Sequence, residues 1–486
     1  METPLVIKSF ITENDYLAVK SFKDLRHVLL SETLKIWKIA IPVALSLLFQ
    51  FLNNSSTSIY AGHLGDIQLS SFSIYQTVIF SIYFSLLLGM SNAITTLCGQ
   101  AYGAGQFENA GIYLQRSWIV LITTCILLLP VHIFATPMLK LLGQEKEIAD
   151  LAGKYSILVI PYMFSYAINI PITKYLQAQR KVNVIMYIAV VTLLIQNGLL
   201  YIFTHVFDWG IIGLAMASNT SGWVFSVALV IYIIGWCKEG WNGLSWMAFK
   251  DLWEFTKLSV GSSVMVCLEQ WYSACIMLLA GHLDNPVIDV ASYSICLNIQ
   301  GWHIMLLLGI SIAVSVRVSN TLGMSHPRAA KYSFLVTMFE SLLLGIIFMT
   351  VIFLSKDKFA SIFTKSEVMI HAASKLAYFL GISMIINTVS QIISGVVIGC
   401  GWQIMVGYIN LACYYIVGLP IGIFLGFHQH LGVKGLWGGT MCGMILQILV
   451  LLVIIYRTNW TKEVEQTANR MRIWSSNQEQ SSEGTD

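Results

Sequence analysis

The chain has 486 residues, of which 56% are hydrophobic and only 11% charged, and its formal net charge is +3. Soluble domains carry about 25% charged residues, so this composition, with a mean hydropathy of +0.71, belongs to a membrane protein. The small net charge and the absence of a basic run interleaved with aromatics exclude a nucleic-acid binder. Nine scattered cysteines give neither a disulfide framework nor a CxxC metal site, and no cofactor site is expected.

In chain order, residues 1–35 are polar and mixed in charge and lack an early hydrophobic core with a cleavage site. They read as a cytosolic N-terminal segment rather than a secretory signal. Apolar stretches then predict twelve spanning helices near 36–60, 69–96, 112–136, 151–175, 183–206, 210–236, 252–280, 287–315, 331–355, 368–397, 403–427 and 433–456. Each approaches the ~20 residues that cross a bilayer as helix. The period-2 alternation of a membrane barrel is absent, which leaves helices as the way to satisfy the backbone in lipid. The spans group into an N-lobe, 36–236, and a C-lobe, 252–456, joined by a cytosolic linker at 237–251. Residues 457–486 form a cytosolic tail, polar and expected to be mobile from Trp460 onward.

Basic residues orient this topology. Of the 28 Lys and Arg, 20 fall on the side of the termini, which predicts that both termini are cytosolic. The eight exceptions cluster around Lys140 to Lys154 and Lys356 to Lys375, with Lys434 apart. The two clusters occupy corresponding places in the two halves.

The halves also match in sequence. AGHL at 61–64 returns at 280–283, a distance of 219, and LLLG at 86–89 returns at 306–309, a distance of 220. Continuing in that register, Gly103 falls on Gly323 and Ala110 on Ala330. The chain therefore reads as an all-α integral membrane protein of two six-helix lobes with parallel topology, related by a pseudo-two-fold axis along the membrane normal. Secondary transporters are the chief users of that arrangement.

The same register places Gln50, in the first span, opposite Glu269 in the seventh. Glu269 lies about midway along VMVCLEQWYSACIMLLA. A charged side chain at the centre of a span costs about 2.5–3.5 kcal/mol or more, so such a carboxylate faces a wet cavity, finds a partner or stays protonated. Changing between those states makes it a switch. Trp271 and Tyr272 stand beside it and are candidates for a cavity wall. Glu340 in the ninth span is a rival, either an interhelical hydrogen-bond acceptor or a second proton site. His303 and His132 are more often satisfied core residues than titrating ones, although the ordinary range of histidine keeps His303 in view.

CGQAYGAGQ (98–106), CLEQWYSA (267–274), VSVRVSNTLG (314–323), SGVVIGCGWQ (394–403), NLACYYIVGLP (410–420) and TNWTKEVEQ (458–466) resemble the plant branch of the multidrug and toxic compound extrusion (MATE) transporters, the DETOXIFICATION proteins. The likeness runs from about residue 32 to 475 and is nearest to the Transparent-testa-type flavonoid carrier group. It implies a V-shaped pair of six-helix lobes, exchange of protons for organic solutes, and residence in the vacuolar or plasma membrane. By the same resemblance Glu269 matches the acidic residue thought to bind the proton, and Asn298 and Asn387 fall where relatives place its polar partners. Many plant members have Asp where this chain has Asn387, and close relatives commonly carry Glu where it has His303. Bacterial relatives often bear Asp four residues before the AG pair, where Thr57 stands, so a cation site in the first lobe is not expected.

The expected function is a proton-coupled antiporter that exports amphipathic organic solutes such as flavonoid glycosides, organic cations and xenobiotics by alternating access. Its partners would be the solute, protons and the bilayer, and a monomer is expected. A lipid or lipid-linked solute flippase on the same scaffold is the alternative. A membrane enzyme is disfavoured: the nearest convergence of reactive groups, His63 with Asp66, lies on an outer loop and its spacing is not kept in the second copy.

Overall fold

Backbone amides in hydrocarbon have no water to bond, and a helix closes its own hydrogen bonds within one segment. The structure, a computed structural model, describes residues 14–280, 282–283, 286–362, 364 and 366–482, and no strand occurs among them. The long helices are α1 (Phe22–Leu64), α2 (Asp66–Gly103), α3 (Phe107–Ile133), α4 (Lys146–Leu158 and Ile160–Ala178), α5 (Val182–Val206) and α6 (Gly210–Trp236). They continue with α7 (Leu252–Ala280), α8 (Pro286–Gly323), α9 (Pro327–Leu354), α10 (Glu367–Cys400), α11 (Gln403–His428), α12 (Val433–Arg457) and a final α13 (Trp460–Ser482). Among the described residues eleven are long and apolar enough to cross a membrane, or twelve with the two-part α4 taken as one span. The twelve predicted spans are thus present.

The α4 break has a local cause. Its two parts meet at 49°, and Pro161 stands just inside the second part, where it supplies no amide to the preceding turn. Pro42 within α1 and the Gly261-Ser262-Ser263 run within α7 likewise weaken their helices, and they lie 219 residues apart at their starts (42 to 261).

Those two weak points lie beside the boundaries of the two structural units. One unit comprises residues up to Ala44 together with Val264–Arg470; the other comprises Leu45–Ser263 and the residues from Met471. Both α1 and α7 therefore divide between units, at Ala44/Leu45 and Ser263/Val264, again 219 apart (44 to 263). The first AGHL closes α1, and the second begins on the last residue of α7; Gly281 lies outside the described residues.

The LLLG repeat acquires a physical reason within each unit. In one, a side chain on Gly309 of α8 would strike the Ala40 carbonyl oxygen of α1, 3.0 Å from where its first carbon would sit. In the other, Gly89 of α2 meets the Ser262 carbonyl oxygen of α7 at 3.2 Å in the same sense. Each glycine lets two backbones approach closely, the small-residue packing that membrane helices use. The repeated sequence marks a repeated helix crossing.

A buried ion pair holds the first part of α1 to its unit. Glu32 and Arg317 are both fully buried, and the guanidinium donates through Nε at 3.1 Å and a terminal nitrogen at 2.8 Å to the two carboxylate oxygens. Ser333 Oγ donates to the same carboxylate at 2.6 Å and the Tyr16 hydroxyl at 2.7 Å. Asp15 accepts from the Ala329 amide at 2.8 Å, so the segment before α1 also caps α9. In the other unit the linker before α7 is seated in a similar way: Gln115 of α3 donates to the Gly243 carbonyl at 3.0 Å, and Arg116 to that of Met247 at 3.3 Å.

The tail departs from expectation. Instead of a mobile polar segment, Trp460 onward is the helix α13, because Trp460, Glu463, Thr467 and Met471 recur at helical spacing and are all buried. Glu463 accepts from the Trp402 indole at 3.2 Å, and Arg470 donates to the Cys400 carbonyl at 3.3 Å.

Two outcomes follow from these polar contacts. Glu32→Ala leaves the Arg317 charge buried without its partner and should lower unfolding stability in detergent by about 3–5 kcal/mol, with much of the loss recovered in Glu32→Ala/Arg317→Met. For Glu463, burial outweighs the opposing Arg470 charge and the Trp402 bond and raises its pKa above the ordinary 4.5. The proton is then held more tightly in the folded state, so stability is greatest at low pH and falls as pH rises through the raised value. Glu463→Gln keeps an acceptor for Trp402; its thermal midpoint should match wild type near pH 4, exceed it near pH 7.5, and show a flatter pH dependence.

Candidate functional site

The second part of α7 carries Glu269 into the unit formed by Val264–Arg470. The side chain is partly buried, and its one hydrogen bond among the described residues is accepted from Gln391 Nε2 of α10 at 3.3 Å. No ion pair reaches it there. The helix around it is well anchored. The Tyr415 hydroxyl of α11 donates to the Leu268 carbonyl at 3.0 Å, and buried Tyr272 lies parallel to Tyr414, with 4.8 Å between centroids and 2° between planes. Tyr272 also donates to the Gly439 carbonyl of α12 at 3.4 Å. A π-helical stretch, Leu411–Gly418, widens α11 where Tyr414 and Tyr415 project. Next to Gln391 on α10, Ser390 donates to Gln447 Oε1 at 3.3 Å, and Gln447 Nε2 donates to Asn410 at 2.9 Å. A neutral amide thus meets the carboxyl group, and a neutral hydrogen-bonded chain starts at the residue beside that amide.

The other expected site residues are placed variously. Trp271 is 47% exposed, whereas its neighbour Tyr272 is buried. Asn387 is buried on α10, one turn before Gln391, and its amide donates to the Ser383 carbonyl at 2.8 Å rather than to Glu269. Asn298 is exposed on α8 and donates to the Ser294 carbonyl of its own helix at 2.8 Å. His303 is fully buried, with Nε2 3.4 Å from Thr388 Oγ1 and its ring 4.8 Å from that of Phe348, and no hydrogen bond joins it to Glu269. Glu340 accepts from Trp37 Nε1 at 3.0 Å and from Thr33, which makes it an interhelical acceptor. Sequence reasoning did not single out Gln391, whose signal was its position four residues after Asn387 on one face of a helix.

Gln50 belongs to the other unit, where it lines a cavity of about 30 Å³ with Asn53, Tyr166, Asn169, Thr192 and Gln196. Gln196 donates to the Asn53 carbonyl and to Thr57 Oγ1, both at 2.9 Å, and accepts from Ser221 at 2.8 Å. No carboxylate lines this cavity, and its size suits a water rather than a solute.

A model of the MatE family matches the chain twice, over residues 42–202 and 262–424, so that the matches begin 220 residues apart, in the register of the internal repeat. Protein DETOXIFICATION 34 of Arabidopsis thaliana is 52% identical over 95% of this chain and 85% of its own length. Protein DETOXIFICATION 35 of the same plant is 51% identical over 97% and 96%. Among solved structures, the eukaryotic MATE transporter AtDTX14 superposes with a TM-score of 0.86 at 30% identity, over 91% of this chain and 99% of that one. The Vibrio cholerae transporter VcmN in its bent form, at 17% identity and a TM-score of 0.80, shares the fold. With both halves matched by the family and near-full-length relatives at over 50% identity, the chain belongs to the MATE transporters and is a multi-pass membrane efflux protein, not an enzyme.

Proposed function

We propose that the protein is a proton-coupled antiporter that exports amphipathic organic solutes from the cytosol, with Glu269 as the group that exchanges the proton. The observation that carries this reading is the Glu269 environment: a carboxyl on a spanning helix whose one hydrogen-bond partner among the described residues is a neutral amide. An arginine partner favours the ionised carboxylate, and Arg317 is that partner for Glu32. An amide accommodates both forms. Gln391 Nε2 donates to the carboxylate, and on protonation the amide can rotate to offer Oε1 to the new hydroxyl. The protonation state then changes which groups face a bound solute without leaving either form unpaired.

Coupling requires that the proton bind one conformation more tightly than another. Protonation removes a charge from the membrane interior and an acceptor from a cationic or hydrogen-bond-donating solute, so proton entry and solute release follow from one event. Alternating access supplies the two conformations, and the buried Tyr272 and Tyr414 pair gives Glu269 a firm support as they interchange. The excess of basic residues on the side of the termini supports a cytosolic location for both ends, in the vacuolar or plasma membrane. Asn298, Asn387, His303 and Trp271 remain candidates for solute contact in other conformations; Gln50 provides polarity without titration.

The test is uptake of an organic cation and a flavonoid glycoside into sealed vesicles with an acidified lumen. Wild type should require the gradient, Glu269→Gln should lose gradient-driven uptake by at least tenfold, and Glu269→Asp should retain part of it. Gln391→Leu should shift the pH dependence of uptake, whereas Gln391→Glu should add a second titrating group. Equal gradient-driven rates for wild type and Glu269→Gln would reject Glu269 as the coupling residue; gradient-independent flux would favour a facilitator or flippase.

A further inference from the structure

Most basic residues of a membrane protein gather on the cytosolic side. Lys375 and Lys434 break that pattern, and nothing in the proposed proton exchange employs them. The structure brings the two together. In the unit that carries Glu269, the beginning of α10, the end of α11 and the start of α12, with Leu283 and Ser292, border an open cavity of about 670 Å³. His371, Lys375, His430 and Lys434 line it, and all four side chains are exposed. None has a hydrogen bond or ion pair among the described residues. The matching cluster in the other unit is partly neutralised, since Lys140 pairs with Asp150 at 2.5 Å.

Helix geometry concentrates these cations. His371 and Lys375 are four residues apart on α10 and share a face. Lys434 sits in the first turn of α12, where the helix end already carries partial positive charge and a lysine is disfavoured. His430 adopts a left-handed backbone (φ 51°), uncommon for a residue with a side chain, and it faces the same space. Beneath the cations the lining is apolar: Leu376 and Val433 are buried, and Phe427 is partly buried. The volume falls within the ~300–1,000 Å³ of small-molecule sites. The cavity is also remote from Glu269 along α10, because Lys375 precedes Gln391 by sixteen residues, about 24 Å of helix at ~1.5 Å per residue.

We infer that this cavity binds an amphipathic organic anion, its carboxylate, sulfate or phosphate held among the lysines and histidines and its apolar body against Leu376, Phe427 and Val433. The anion could be a free solute or the headgroup of an acidic lipid. A charge-assisted contact to each of two lysines resolves the repulsion between them. The site stands independently of the proton-exchange reading.

Calorimetric titration of the full-length chain in neutral detergent tests it, with 2-naphthalenesulfonate as the anion and 2-naphthol as its neutral counterpart. The sulfonate should bind with one-to-one stoichiometry and far more tightly than the naphthol. Lys375→Gln/Lys434→Gln should weaken it at least tenfold without lowering the thermal midpoint, and His371→Gln/His430→Gln should weaken it less. Lys140→Gln and Glu269→Gln should leave it unchanged, so failure of either reading is visible separately. Repeating the titration in phosphatidylcholine nanodiscs with and without phosphatidylglycerol identifies the source: competition by the acidic lipid assigns the site to headgroups, and undiminished binding assigns it to free solutes. Equal affinity for sulfonate and naphthol, or wild-type sulfonate affinity in a folded double lysine variant, would overturn the inference.

Discussion

The cost of holding a carboxylate among apolar helices is the constraint from which the rest of this unit follows. Three carboxylates meet it in three ways. Glu32 is fully buried and accepts from a guanidinium, a serine and a tyrosine, so that its charge is matched and its lone pairs are filled. Glu340 accepts from the Trp37 indole and from Thr33, neutral donors that tie α1 to α9. Glu269 has one amide. The first arrangement matches the carboxylate with a cation and the third with a single neutral amide, which on the proposed reading separates a structural carboxylate from one suited to exchange.

Each half also begins with a helix divided between units. The first part of α1 packs through Ala40 against Gly309 and is held by Glu32, Thr33 and Trp37 to residues of α8 and α9. The first part of α7 packs at Ser262 and Ser263 against Gly89 of α2. In both cases a run that weakens the helix, Pro42 or Gly261-Ser262-Ser263, lies beside the division. A helix interrupted in its hydrogen bonding or side-chain bulk can turn from one set of neighbours to another with less strain. The repeat therefore preserves a packing device as well as a helix count.

Much of this was legible in the sequence because long apolar runs, Lys and Arg asymmetry and a 219–220-residue register are one-dimensional signals. Glu269 was legible for the same reason, as a charge inside an apolar run. Its actual partner was not: Gln391 is a neutral amide on a helix 122 residues away, and only packing selects it over Asn387 one turn earlier. Asn298 and His303 carried the expected chemistry but meet their own helix and Thr388. The α13 helix was missed because its buried stripe of Trp460, Glu463, Thr467 and Met471 mixes polar with apolar side chains, so average polarity masked its period. The division of α1 and α7 between units left only a faint trace, Pro42 and the Gly261-Ser262-Ser263 run, which by themselves read as ordinary helix irregularities.

On the proposed reading, the amide partner also sets the strength of coupling. Proton and solute influence each other only through the difference in free energy between conformations, and the influence is reciprocal, typically 1–3 kcal/mol. A guanidinium beside Glu269 would stabilise the ionised form so far that a physiological gradient could not reverse it. An isolated carboxyl would stay protonated and leave the solute without its contact. One rotatable amide, Gln391, would keep both forms hydrogen-bonded. On the proposed reading, the absence of a second acid at Asn387 has the same effect, because a neighbouring carboxylate would couple to Glu269 and spread its titration over two steps.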